Sequence, residues 1–135
     1  MTTVVLDTDA ASRLHRGREH VDADMARRLA GKSIAFSFVT VGELYLWAEI
    51  RSWGERRRGE LEAWLDSIPV LPSDNLVASK WGRLTAAARR RGRPRPVNDT
   101  WITACCLANE VPLFTYNRAD FEDFWRYDGL TLVDD

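Results

Sequence analysis

The sequence predicts an α/β fold with a central, mostly parallel sheet of four to five strands covered by helices. Three observations predict it. Short apolar runs recur at 4–6 (VVL), 34–37 (IAFS), 68–71 (IPVL), 111–115 (VPLFT) and 130–133 (LTLV). Longer stretches with helical spacing fill most of the gaps, the alternation expected of a parallel sheet. The first run is rich in β-branched residues and shows no polar alternation, as in a strand buried on both faces.

The helices follow in order. Between the first two runs, Val21, Met25 and Leu29 share one helical face, and Gly31 is the stop. From Val39 to about Trp53, the residues Val41, Leu44, Tyr45 and Ala48 mark a second helix. Thr40 signals its start, with Glu43 three residues on in capping-box spacing. Leu61, Trp64, Leu65 and Ile68 mark a third helix, ended by Pro69. Ser73 opens a fourth, with Leu76, Val77, Lys80, Trp81 and Leu84 in phase, which stops at Gly92. The connector GRPRPV (92–97) is too short to separate domains, so residues 1–135 make one domain. After it, Asn98 is a good N-cap for DTWITACCLANE, a helix feeding the fourth run.

Composition excludes several classes of protein. With 135 residues and 45% hydrophobic content the chain builds a core and is not a disordered segment. No apolar run reaches the roughly 18 residues of a membrane helix, and no signal peptide is evident, so the expected location is the cytoplasm. Cys105 and Cys106 are adjacent within a helical pattern, which suits reduced core thiols and not a disulfide or zinc pair. Net charge is −1, so there is no bulk polycation. Arginine nonetheless outnumbers lysine 17 to 2 and clusters at 56–58 and 89–95. Such clusters suit phosphate, although a solvated helix end accounts for them equally well. Trp47, Trp64 and Trp81 fit helix faces turned to the core.

Five acids stand where open α/β sheets place their ligands, near the carboxyl ends of the strands. Asp7 and Asp9 follow the first run, Glu43 the second and Asp120 the fourth. Asp99 begins the helix before the fourth. Singly, each has an ordinary reading. Glu43 closes a capping box, Asp99 favours a helix N-terminus, and Asp9 and Asp120 cap the helices AASRL and FEDF. Capping does not explain why so many acids share one end of one sheet. Like charges crowded at the mouth of a core repel and lose hydration unless a cation compensates. Carboxylates without histidine or cysteine partners select a hard ion, Mg2+ or Mn2+, which can acidify a water and stabilise a leaving oxygen at phosphorus. The two histidines, His15 and His20, lie elsewhere in the sequence.

The same residues carry a resemblance. VVLDTDAASRL, SFVTVGELYLWAE and RPVNDTWITACCLANEVPLFTYNRADF resemble, in order and spacing, the PIN-domain ribonucleases, most closely the VapC toxins of bacterial toxin–antitoxin pairs. The resemblance covers nearly the whole chain and implies a PIN-like three-layer α/β/α sandwich. It implies Asp7 and Asp99 as the principal metal ligands, with Glu43 and Asp120 completing the acidic pocket. It implies Thr8, Thr115 and Asn117 as supporting polar residues. Asp9 stands where most members carry asparagine. The resemblance further implies Mg2+-dependent cleavage of structured RNA of the tRNA or rRNA class, inhibition by a VapB-like antitoxin, and a homodimer.

Three other readings use the same acids. In a phosphatase of the haloacid dehalogenase type, Asp7 is the nucleophile and Asp9 the general acid. That family, like a response-regulator receiver domain, needs a late lysine, and the lysines here are Lys32 and Lys80. A third reading is a non-catalytic module whose acidic pocket binds a basic tail or a metal.

Overall fold

The computed structural model describes residues 2–133. Three parallel strands, β1 (Thr3–Leu6), β2 (Ser33–Ala35) and β3 (Leu113–Phe114), pair in the order β2-β1-β3. Seven α-helices lie among the described residues: α1 (Thr8–Arg16), α2 (Ala23–Leu29), α3 (Phe38–Ile50), α4 (Glu55–Asp66), α5 (Asn75–Arg90), α6 (Val97–Ala108) and α7 (Arg118–Tyr127). A single 3-10 turn at Arg18–His20 joins α1 to α2.

β1 lies at the centre because its side chains satisfy both faces at once. Val4, Val5 and Leu6 are wholly buried, and successive strand residues point to opposite sides. Val4 and Leu6 pack with Ala10, Met25, Leu44 and Leu61, on α1 to α4. Val5 packs with Val77, Leu84, Ile102 and Phe121, on α5 to α7. Helices thus cover both faces of the sheet, giving the three layers the resemblance implies. Cys105 and Cys106 are free and buried, and burial pushes the Cys105 thiol up to about 11. Trp64 and Trp81 pack at the margins of the two cores, half-buried.

The strand count differs from the expected four to five. Runs 68–71 and 130–133 join the sheet by single parallel bridges, Phe36 with Val70 and Leu113 with Leu132. Pro69 and Pro72 flank Val70 and carry no N–H to extend a ladder. What remains is two bonds around Phe36, to Pro69 O and from Leu71 N, both 2.9 Å. At the other edge β3 is two residues long, so its neighbour pairs only through Leu113.

Helix starts also differ from the sequence reading. Ser37, not Thr40, caps α3 by accepting from the Thr40 N–H. Asp74, not Ser73, caps α5 through the N–H groups of Leu76 and Val77. α6 begins directly after Pro96, so Asn98 lies inside its first turn and caps nothing. Asp9 is likewise no cap, because Asp7 holds that place on α1. Asp120 makes no cap either: α7 starts at Arg118, after Asn117.

Candidate active site at the carboxyl ends of the strands

Asp7 is the pivot of the site. It is the residue after β1, its N–H bonds Phe114 O at 3.2 Å, and its side chain is almost wholly buried. One carboxylate oxygen accepts from Ala10 N at 3.0 Å and so caps α1. The other accepts from Thr115 Oγ1 at 2.5 Å. Thr115 is aimed in turn by Asn117, whose backbone N–H donates to the same hydroxyl at 2.8 Å. Burial pushes the Asp7 carboxyl up, the bonds from Thr115 and Ala10 oppose this, and the charges of Asp9 and Asp120 reinforce it.

Glu43 lies in the second turn of α3, where a chain of hydroxyls orients it. Thr8 Oγ1 donates to Glu43 Oε1 at 2.6 Å. Thr8 and Thr40 hydroxyls stand 3.2 Å apart, and Ser37 Oγ reaches Thr40 Oγ1 at 3.5 Å. A hydroxyl has one hydrogen, so with Thr8 spent on Glu43, Thr40 donates to Thr8 and Ser37 to Thr40. Every hydrogen of this buried chain points toward the carboxylate, an arrangement that strengthens each bond. Glu43 is therefore a positioned acid and not half of a capping box.

Asp99 is the third residue of α6 and half-buried. Its carboxyl is pushed up to about 6, first by burial and then by the charges of Asp120, Asp7 and Glu43, with Arg95 pulling the other way. Asp120, third in α7, is one source of that field. Acids from the end of β1 and from α3, α6 and α7 are thus brought within electrostatic reach of one another. Asp9 is turned aside. It pairs with Arg13 across one turn of α1 at 3.5 Å, and reaches the site only through its charge on Asp7.

A family model for the PIN domain matches residues 4–126. The chain belongs to the PIN domain family. The tRNA(fMet)-specific endonuclease VapC of Shigella flexneri is 31% identical over 101 residues, which span 75% of this chain and 74% of that protein. A ribonuclease VapC of Haemophilus influenzae is 27% identical over 122 residues, 90% of this chain and 92% of that one. Among solved structures, the DNA-bound VapBC from Salmonella typhimurium contains a chain similar in fold, with TM-score 0.80 and 24% identity over 98% of this chain and 97% of that one. Ribonucleases of this PIN-domain kind generally depend on a divalent metal.

The residues of this PIN domain fit such an ion. The converging donors are all carboxylate oxygens, and Asp7 and Asp99 are both raised, first by burial and then by neighbouring negative charge, and a dication offsets both. Among the described residues no three acids, histidines or cysteines stand together as a ready-made cage.

The phosphatase reading fails here on family. Its general acid, Asp9, is bound to Arg13, and Asp7 is held by two donors inside a helix cap. The arginine clusters divide. Arg58 bonds Trp53 O at 2.6 Å and pairs with Glu49, while Arg57 lies over the Trp53 ring. Arg91 and Arg93 tie the end of α5 to Asp128 and Asp123 of the α7 region, leaving Arg89 and Arg90 exposed. Sequence reasoning missed Ser37 as a member of the site. Its only signal was S-x-x-T spacing directly after an apolar run.

Proposed function

We propose that this PIN domain is a Mg2+-dependent endoribonuclease of the VapC toxin kind, cleaving phosphodiester bonds in RNA of the tRNA or rRNA class. The observation that carries the reading is the convergence of Asp7, Glu43, Asp99 and Asp120 at the carboxyl end of the sheet, with Asp99 pushed up to about 6 by burial and then by the others' charges. The two histidines are engaged elsewhere: His15 packs against Trp64 with ring centroids 4.6 Å apart, and His20 lies 3.8 Å from Glu19. The relatives' names, a tRNA-specific endonuclease and a ribonuclease, support the substrate class.

When bound, the divalent ion supplies positive charge that acidifies a water and stabilises the phosphorane-like oxygens. Asp7 and Asp99 would hold it. Thr115 and the α1 N-terminus keep Asp7 in one orientation, so little reordering is needed on binding. Glu43, tethered through Oε1, keeps Oε2 for the proton of the attacking water, and Asp120 orients that water. Water forms the new bond to phosphorus, the bond to the leaving ribose oxygen breaks, and that oxygen takes a proton from solvent.

A VapB-like antitoxin as the inhibitory partner is supported by the solved VapBC complexes that share the fold. A homodimer is supported by the outward face of α3, where Tyr45, Leu46 and Ile50 are 40%, 52% and 70% exposed. No helix among the described residues is long and apolar enough to cross a membrane, and the proposed site of action is the cytoplasm, where the RNA is.

The test incubates purified protein, freed of antitoxin, with total cellular RNA and Mg2+, beside an EDTA control and the Asp99→Asn variant, and maps new 5′ ends by sequencing. Discrete cuts absent from both controls are expected. Folded, metal-loaded protein that cuts nothing overturns the reading in favour of a binding module.

A further inference from the structure

The helix pair α5 and α6 packs apolar side chains together, Trp81 stacking on Trp101 at 4.9 Å among them, but one stripe of α5 also buries polar atoms. Trp81, Thr85 and Arg89 follow one another at four-residue spacing and so share a face. With Arg95 of the connector, and with Val97 and Thr100 of α6 opposite, they enclose a cavity of about 70 Å³. Trp81 Nε1, Thr85 Oγ1 and Arg95 Nε are all shielded from solvent, and none has a hydrogen-bond partner among the described residues. Leaving such groups unmet costs more than a hydrogen bond gains. A threonine inside a helix usually returns its hydroxyl to the carbonyl four residues back, yet Thr85 does not.

The chemistry of the unmet groups is one-sided. An indole N–H and a guanidinium Nε–H only donate, and the hydroxyl donates as readily as it accepts. Water filling the cavity finds oxygens to donate to only at the hydroxyls of Thr85 and of Thr100, whose own hydrogen is spent on Pro96 O at 2.8 Å. An oxyanion accepts from all the unmet groups. Arg95 and Arg89 supply positive charge, and Arg95 is only partly engaged by Asp123, at 3.5 Å. Of its lining residues Arg89 and Val97 are exposed, and Arg95 and Val97 lie within four residues of Asp99 in sequence.

We propose that this cavity is a phosphate-oxyanion site, formed by Trp81 Nε1, Thr85 Oγ1 and the guanidinium groups of Arg95 and Arg89. Its ligand is either a backbone phosphate of bound RNA or free phosphate. Only the first assignment rests on the ribonuclease reading, and it makes the cavity a second phosphate anchor beside the carboxylates.

The test follows the indole N–H resonances of the full chain in EDTA, so that no metal draws phosphate to the acids. The Trp81 resonance is identified by its loss in Trp81→Phe. Added inorganic phosphate is expected to move it saturably, against a chloride control of equal ionic strength. Thr85→Val should weaken that response by about tenfold or more, the loss of one hydrogen bond to a charged group. Arg95→Gln should weaken it too. A dinucleoside monophosphate in place of phosphate separates the sources: movement assigns the site to the RNA backbone, and movement with inorganic phosphate alone assigns it to the free ion. No movement with either in an otherwise dispersed spectrum overturns the proposal, as does a response that Thr85→Val leaves unchanged. No arm requires cleavage, so failure of the ribonuclease reading is seen separately.

Discussion

Asp99 carries a cost in stability that asparagine in its place removes. In the unfolded chain its carboxyl titrates near the ordinary value of 3.8, whereas in the folded protein it is held at about 6. The folded state therefore binds the proton more tightly. The stability this group contributes is full below the unfolded value and is lost as pH rises through about 6. Two pKa units correspond to about 3 kcal/mol, and solvent screening of a half-buried carboxylate brings this to about 1–2 kcal/mol. Asparagine keeps the shape without the charge. In EDTA above pH ~7, Asp99→Asn should be more stable than the parent by about 1–2 kcal/mol, a gap that closes below pH ~4. Urea denaturation followed by tryptophan fluorescence reads both conditions. A variant no more stable than the parent at the higher pH, or a gap that persists in acid, refutes the electrostatic account of the site.

Other consequences follow from the same geometry. Thr115→Val removes the donor to Asp7 and the acceptor for Asn117 N–H. Cleavage should fall tenfold or more and stability by about 1–3 kcal/mol, with Thr115→Ser restoring both in parallel kinetic and denaturation measurements. Thr40→Val interrupts the hydroxyl chain and should cost about 1–3 kcal/mol in denaturation, whereas Glu43→Gln should abolish RNA cleavage and leave the midpoint nearly unchanged. Leu6→Ala, at a wholly buried position of the central strand, should lower stability by about 2–5 kcal/mol. Chelation should end cleavage without altering far-ultraviolet dichroism, and added Mg2+ should raise the melting temperature of the parent more than that of Asp99→Asn.

The acids were legible because each adjoins a signal that sequence displays: Asp7 an apolar run, Asp99 a proline-bounded helix start, Asp120 the end of another run. What holds them was less legible. The hydroxyl chain from Ser37 to Glu43 joins α3 to Thr8, some thirty residues away, and no local pattern encodes that approach. Glu43 read as a capping-box partner only because Thr40 looked like the cap. Ser37 takes that place, and the register shift moves Glu43 one turn deeper into α3. Apolar runs likewise marked the line of the sheet without fixing its extent. Val70 and Leu132 sit where strands were expected, but prolines on one side and a two-residue neighbour on the other stop each at a single bridge.

Asp7 serves as the cap of α1 and also accepts from Thr115 beside the other acids. This bears on how an inert form of such a protein is made in a living host. Truncating Asp7 releases Ala10 N–H and Thr115 at once, and loss of the cap alone costs about 0.5–2 kcal/mol. A silent Asp7→Ala product would thus confuse a disarmed enzyme with a loosened one, and its binding to any inhibitor would inherit the same ambiguity. Asp99 caps nothing, and its side chain is in debt to its neighbours, so disarming the protein there leaves a sounder molecule than the original.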